Sequence, residues 1–307
     1  MIRIIIYAVV YLFGVSATLA QVTSEEIIIN NNGVQLPGTL SFSEENTPLI
    51  IWVHGSGPVD RNGNQLAQNI KANYIKQFRD AVNKENIAFF SYDKRTANRS
   101  NLKFMKETKV LDFAFDAEKV ISHFKEDTRF SKIILVGHSQ GSLIAMFAAK
   151  NVDKYISLAG AGETVDKIMV KQISKNNSTL GEAAQQQFDT LRIKGKIKTV
   201  NPFLINIFAK PNQSFLYSWM QLDPIKEIEK LEIPLLILNG SKDIQLKIED
   251  AKALHAANSN SELAIIENMN HVLKDIQKDE DNMKSYFSSE YPISEKLIKT
   301  IVSFIKK

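Results

Sequence analysis

The sequence has no cysteine, and that one absence removes several chemistries together. A chain without thiols forms no disulfide, offers no thiolate nucleophile and holds no cysteine-ligated metal, whatever compartment it occupies. A surplus of one charge is also lacking. The 38 basic and 34 acidic residues leave a formal +4 and are interspersed along the chain, without the basic stripe that nucleic-acid binding requires. No segment is biased enough in composition to imply disorder, and no internal repeat is present. The apolar run near the N-terminus, Ile4 to Val15, falls short of the roughly 20 residues a membrane-spanning helix needs.

What is present fits a globular chain. At 307 residues with 44% hydrophobic and 23% charged content, the length permits two average domains or one large α/β domain with an insertion. Residues 1–20 stand apart: Arg3, the uncharged run, then small residues at Thr18 and Ala20 make the pattern of a secretory signal peptide cut after Ala20. The expectation is a secreted or periplasmic protein whose mature chain begins at Gln21, with no stable membrane anchor once the signal is removed.

Past that segment, Glu25 to Ile29 and Val34 to Phe42 flank an asparagine-glycine turn and read as a hairpin. Pro48 to Val53 is a continuous apolar run of the kind buried on both faces of a sheet. It ends in the glycine-rich loop His54-Gly55-Ser56-Gly57-Pro58. Helical spacing over 73–86 precedes an apolar strand, Ile87 to Tyr92, which ends at Asp93-Lys94-Arg95. A second helix runs from Val110 to Lys125, with Leu111, Ala114, Phe115, Ala117, Val120, Ile121 and Phe124 on its expected inner face. Strands alternating with helices imply an α/β fold with a mostly parallel central sheet covered on both faces. The alternation lapses over 162–222, where only helical patterns occur, and resumes at Ile233. The chain therefore divides into a first core part (21–161), an inserted helical cap (162–222) and a second core part (223–307).

The stretch around which this is organised is Ile133-Ile134-Leu135-Val136-Gly137-His138-Ser139-Gln140-Gly141, followed by small apolar residues. A β-branched run, a G-x-S-x-G turn and a helix are the parts of a nucleophile elbow, in which glycines two positions before and after the serine leave room for a strained backbone. Ser139 is the candidate nucleophile. Cleavage by serine needs a base, a carboxylate to orient it and backbone donors for the oxyanion. Asp243 follows at the end of an apolar strand and His271 just after the next one. Chemistry in open parallel sheets gathers at the carboxyl ends of the strands, so the order serine, acid, histidine is the hydrolase order.

Rivals exist for two of the three. Asp250 and Glu249 are alternative acids, but fall on a helix. Of the other histidines, His138 adjoins the serine and should point away from it; His123 and His255 sit in helical patterns, and His54 is expected to shape its loop by hydrogen bonding. The loop after the first buried strand should supply one oxyanion donor, the backbone N–H of Ser56, and the N–H of Gln140 the other. This set requires no cofactor and no metal.

Three motifs together, His54-Gly55-Ser56-Gly57-Pro58-Val59-Asp60-Arg61, Tyr92-Asp93-Lys94-Arg95 and Gly137-His138-Ser139-Gln140-Gly141, resemble those of the α/β-hydrolase superfamily, and within it the bacterial serine carboxylesterases. The resemblance covers roughly residues 23 to 305 apart from the cap. It implies the α/β-hydrolase fold and hydrolysis of short acyl esters, a small-molecule substrate, with Ser139, Asp243 and His271 as the triad. One departure is Thr96-Ala97-Asn98, where such enzymes carry a glycine-containing turn, and the shape of the pocket there follows this chain alone. At the strand end, Asp93, Lys94 and Arg95 are expected to form structural ion pairs in preference to an anion site. Acyl transfer, or thioester or peptide cleavage, would use the same residues; a non-catalytic binding protein on the same fold is the alternative of another kind. The sequence leaves oligomeric state open.

Overall fold

The computed structural model describes residues 21–307, so the expected signal peptide lies outside the described residues. Eight strands form one sheet: β1 (Thr23–Asn31), β2 (Val34–Phe42), β3 (Thr47–Val53), β4 (Ala88–Tyr92), β5 (Phe130–His138), β6 (Lys154–Leu158), β7 (Leu235–Gly240) and β8 (Ser261–Ile266). Their order across the sheet is β1-β2-β4-β3-β5-β6-β7-β8. The first three neighbours pair antiparallel, and from β4 onward every pairing is parallel. The hairpin between β1 and β2 closes through Asn32 and Gly33, both at positive φ (51° and 89°), the backbone that a two-residue turn with right-handed strand twist demands.

Alternation along the central strands explains why both faces are covered. Leu49, Ile51 and Val53 of β3 belong to one apolar cluster, Ile50 and Trp52 to the other. In β5, Leu135 faces the first cluster while Ile134 and Val136 face the second. Successive side chains point to opposite sides of a strand, so a continuous apolar run forces helices onto both faces. Helices Val110–Phe124, Gln140–Ala148 and Ile248–Ala257 cover one face; Tyr74–Asn83 and Glu295–Lys306 cover the other.

One assignment on the Val110–Phe124 helix is corrected. Phe115 is 55% exposed and Phe113 is buried in its place. Phe113, Ala117, Val120 and Phe124 recur at spacings of three and four and share a face, whereas residue 115 lies about 200° around the helix from residue 113.

Between β6 and β7 the chain forms helices and no strand. Val165–Asn176, Ser178–Lys194 and Lys210–Met220 are the long ones, and Ala184, Phe188, Leu191, Leu204, Phe208 and Leu216 give this insertion an apolar cluster of its own. The Asn177 side chain accepts the Leu180 N–H at the start of the second helix, and Gly195 at φ 67° ends it, the usual start and stop chemistry of a helix.

Candidate active site

The elbow is built as its residues require. Ser139 stands between β5 and the Gln140–Ala148 helix at φ 55°, ψ −121°, a conformation that costs a non-glycine residue of order 1–3 kcal/mol and persists only when its surroundings impose it. Here the surroundings are two close approaches. A Cβ at Gly137 would overlap the Gly141 carbonyl, and one at Gly141 would overlap the Val53 carbonyl. The Ser139 N–H is held by the Leu158 carbonyl of β6 at 2.9 Å.

Asp243 and His271 come from the turns after β7 and β8. His271 Nδ1 lies 2.7 Å from Asp243 Oδ2, and both side chains are buried. The second carboxylate oxygen, Oδ1, accepts the N–H groups of Gln245 (2.7 Å) and Leu246 (2.9 Å). Burial pushes the Asp243 carboxyl upward, but His271 and these two N–H groups outweigh it and hold the group below its ordinary value. Ser139 and His271 line one cavity of about 200 Å³ with Gly55, Ser56, Tyr74 and Met283. Among the described residues no hydrogen bond joins Ser139 Oγ to the imidazole; such contacts commonly tighten only with substrate in place.

The two turns are bracketed by a short helix, Asp279–Ser285, that the sequence reading did not anticipate. Asn282 Nδ2 donates to the Lys242 carbonyl beside Asp243, and its Oδ1 accepts from Asn270 Nδ2 beside His271. Asn270 also donates to Ser285 Oγ. The only sequence signal was the polar Asn268-Met269-Asn270 run after β8, and nothing in it named a partner twelve residues away.

The rival residues have other work. Asp250 Oδ1 accepts the Gly162 N–H and Oδ2 the Lys247 N–H, and Glu249 lies on the same helix as Asp250. His255 Nδ1 pairs with Ser261 Oγ, and His123 is exposed. One histidine expectation is corrected. His138 is not turned away: its Nε2 contacts the His271 carbonyl at 2.8 Å, its ring stacks on Trp52, and it borders the cavity. His54 is buried in its loop, where its ring packs edge-on against Tyr92 and lies near the Asp60 backbone. Burial lowers both imidazoles to about 3, so both are neutral packing groups at physiological pH.

Ser56 and Gln140 lie beside Ser139, both lining a second cavity of about 420 Å³ whose other walls include Lys94, Phe113, Phe215 and Trp219. Gln140 opens the elbow helix, where first-turn N–H groups have no intrahelical acceptor. Thr96, in the departing loop, reaches the Gly57 carbonyl at 3.2 Å and lines the same cavity. Arg61 forks onto Asp93 and Arg95 onto Asp116, the ion pairs expected at this strand end. Lys94 is different and was not foreseen as part of the site: its ammonium donates to the Gly55 carbonyl and to Gln140 Oε1, both at 2.7 Å.

The chain is 27% identical to Esterase EstD of Thermotoga maritima over 266 residues, an alignment covering 81% of this chain and 60% of that protein. It therefore spans less than two thirds of that relative. Among solved structures, Est1E from Butyrivibrio proteoclasticus with ferulic acid bound superposes with TM-score 0.59 at 17% identity, covering 92% of this chain and 100% of that one. The Pyrococcus furiosus esterase Pf2001 gives TM-score 0.59 at 15% identity, covering 92% and 90%. At these identities the superpositions establish a shared fold, the α/β-hydrolase fold that the motifs implied. Residues 39–257, most of the chain, match the BD-FAE family, and the chain belongs to that α/β-hydrolase family.

Proposed function

We propose that the protein hydrolyses carboxylic esters with short acyl groups through an acyl-enzyme on Ser139. One observation carries the reading: the 2.7 Å contact between His271 Nδ1 and Asp243 Oδ2, on the wall of the cavity that also holds the strained Ser139. Family membership and the likeness to the Thermotoga maritima esterase support it.

In this reading His271 Nε2 takes the Ser139 proton as Oγ attacks the acyl carbon. Asp243 fixes the Nδ1–H tautomer and stabilises the imidazolium. The N–H groups of Ser56 and Gln140 receive the oxyanion, each worth about 3 kcal/mol in the transition state. His271 returns the proton to the departing alcohol, and water repeats the sequence on the acyl-enzyme. The helices of residues 162–222 act as a cap, with Phe215 and Trp219 at the cavity wall setting acyl and alcohol selectivity. We further propose export with cleavage after Ala20; N-terminal sequencing of the mature protein should begin at Gln21.

The test is turnover of p-nitrophenyl acetate together with labelling by a fluorophosphonate. Wild type should do both and Ser139→Ala neither. Wild type inert to both reagents would instead favour a binding protein, and labelling of Ser139→Ala would move the nucleophile elsewhere.

A further inference from the structure

We propose that Lys94 is a positioning residue of the oxyanion site, its ammonium orienting and polarising the Gly55–Ser56 peptide and fixing Gln140, so that both backbone donors face the acyl oxygen. The inference rests on the ester-hydrolase reading above. It adds a charged residue that touches no member of the triad.

In a trans peptide the C=O and the following N–H point in opposite directions, so the Gly55 carbonyl and the Ser56 N–H are two ends of one dipole. Lys94 Nζ holds the carbonyl end at 2.7 Å. That fixes the plane, and a cation at the oxygen draws electron density from the nitrogen and makes its N–H a stronger donor. Gly55 sits directly against the nucleophile, since a Cβ there would be 3.2 Å from Ser139 Cβ. The same ammonium holds Gln140 Oε1 at 2.7 Å, the side chain of the residue that carries the second donor. Its remaining side faces the ring of Phe113, 4.3 Å from the centroid.

Structural pairing does not account for this placement. Lys94 is 4% exposed, and among the described residues no carboxylate pairs with it, because Asp93 and Asp116 are engaged by Arg61 and Arg95. An ammonium left without a counter-ion in the interior is costly, and burial draws its pKa down to about 7 against the pull of Asp116. Both of its acceptors belong to residues that flank Ser139 in space. Groups held at such cost gather at functional sites.

The experiment uses the full chain as wild type, Lys94→Met and Lys94→Gln, with kcat and KM for p-nitrophenyl acetate and the inhibition constant of phenylboronic acid, whose serine adduct is tetrahedral and presents an oxygen to the same donors. Lys94→Met should lower kcat about tenfold or more, and weaken the boronate by a similar factor, while KM stays within about threefold. Lys94→Gln, which keeps an N–H donor group without the charge, should recover part of both. A folded Lys94→Met with kcat within about threefold of wild type, or with its loss confined to KM, overturns the proposal. If Lys94→Met does not fold, Lys94→Gln decides, and an unchanged kcat there overturns it equally. Wild type without turnover refutes the ester-hydrolase reading itself; active wild type with indifferent Lys94 variants refutes only the role of Lys94.

Discussion

Replacing Asp243 by asparagine isolates what the carboxylate does, because the surrounding donors dictate how the new amide must sit. Asp243 Oδ1 accepts two backbone N–H groups, from Gln245 and Leu246, and Oδ2 faces His271 Nδ1. In Asp243→Asn the amide oxygen must take the place of Oδ1. The opposite orientation would set an NH2 against two buried N–H donors, at about 1–3 kcal/mol for each one left unsatisfied, or about 2–6 kcal/mol together. The amide nitrogen then donates to His271 Nδ1, which holds the imidazole in the tautomer with its proton on Nε2. That nitrogen can no longer accept the Ser139 proton. The expected loss in kcat is on the order of 10³- to 10⁴-fold, the scale on which a mis-set tautomer acts in serine hydrolases. This corresponds to about 4–5.5 kcal/mol of barrier. KM should change little. The assay is steady-state turnover of p-nitrophenyl acetate, with ¹⁵N spectroscopy of the imidazole to report which nitrogen is protonated. A folded Asp243→Asn retaining more than about a tenth of wild-type kcat, or an imidazole still protonated on Nδ1, refutes the reasoning.

Three further outcomes follow from particular contacts. His54 and His138 are held at about 3 in the folded chain against 6.5 ordinarily, so the unfolded chain takes up protons that the folded chain refuses. Stability is complete above about pH 6.5 and falls as pH drops toward 3, by up to about 1.4 kcal/mol per pH unit for each histidine. Urea midpoints at pH 7.5 and 5 should show this, with a smaller slope in His54→Phe, and equal slopes in the two proteins would contradict it. Asn282→Leu removes the bracket between the Asp243 and His271 turns. It should cost about 2–4 kcal/mol for the groups left unpaired and lower kcat; unchanged stability and rate would show the bracket to be idle. Trp219→Ala enlarges the cavity beside Gln140 and should shift the acyl preference toward longer chains, by up to about fourfold in kcat/KM per added methylene at 0.8 kcal/mol each. A flat chain-length profile would place the acyl group elsewhere.

Much of the candidate site was legible because it rests on local chemistry. Ser139 announces itself through Gly137 and Gly141, two residues whose missing Cβ atoms the turn requires. The doubly buried runs of β3 and β5 encode helices on both faces. Asp243 and His271 were legible by their place at strand ends, a consequence of parallel topology more than of neighbouring residues. Phe115 was misassigned because its helix also carries Phe113, and only packing decides which of two nearby aromatic residues meets the sheet.

Chain order and periodicity thus determined the fold class, the elbow and the strand-end positions of Asp243 and His271, all of which depend on residues within one element or on the alternation of elements. The tertiary structure alone decided the rest. Lys94 becomes a clamp on Gly55 and Gln140 because β4 ends beside the loop after β3, 39 positions earlier in the chain, and beside the elbow 46 positions later. His54 is a silent packing ring and His138 a support beneath His271, roles set by who surrounds an imidazole. Hydrogen bonds and burial between residues far apart in sequence leave no periodic trace, so their partners emerge only when the sheet brings the strand ends together.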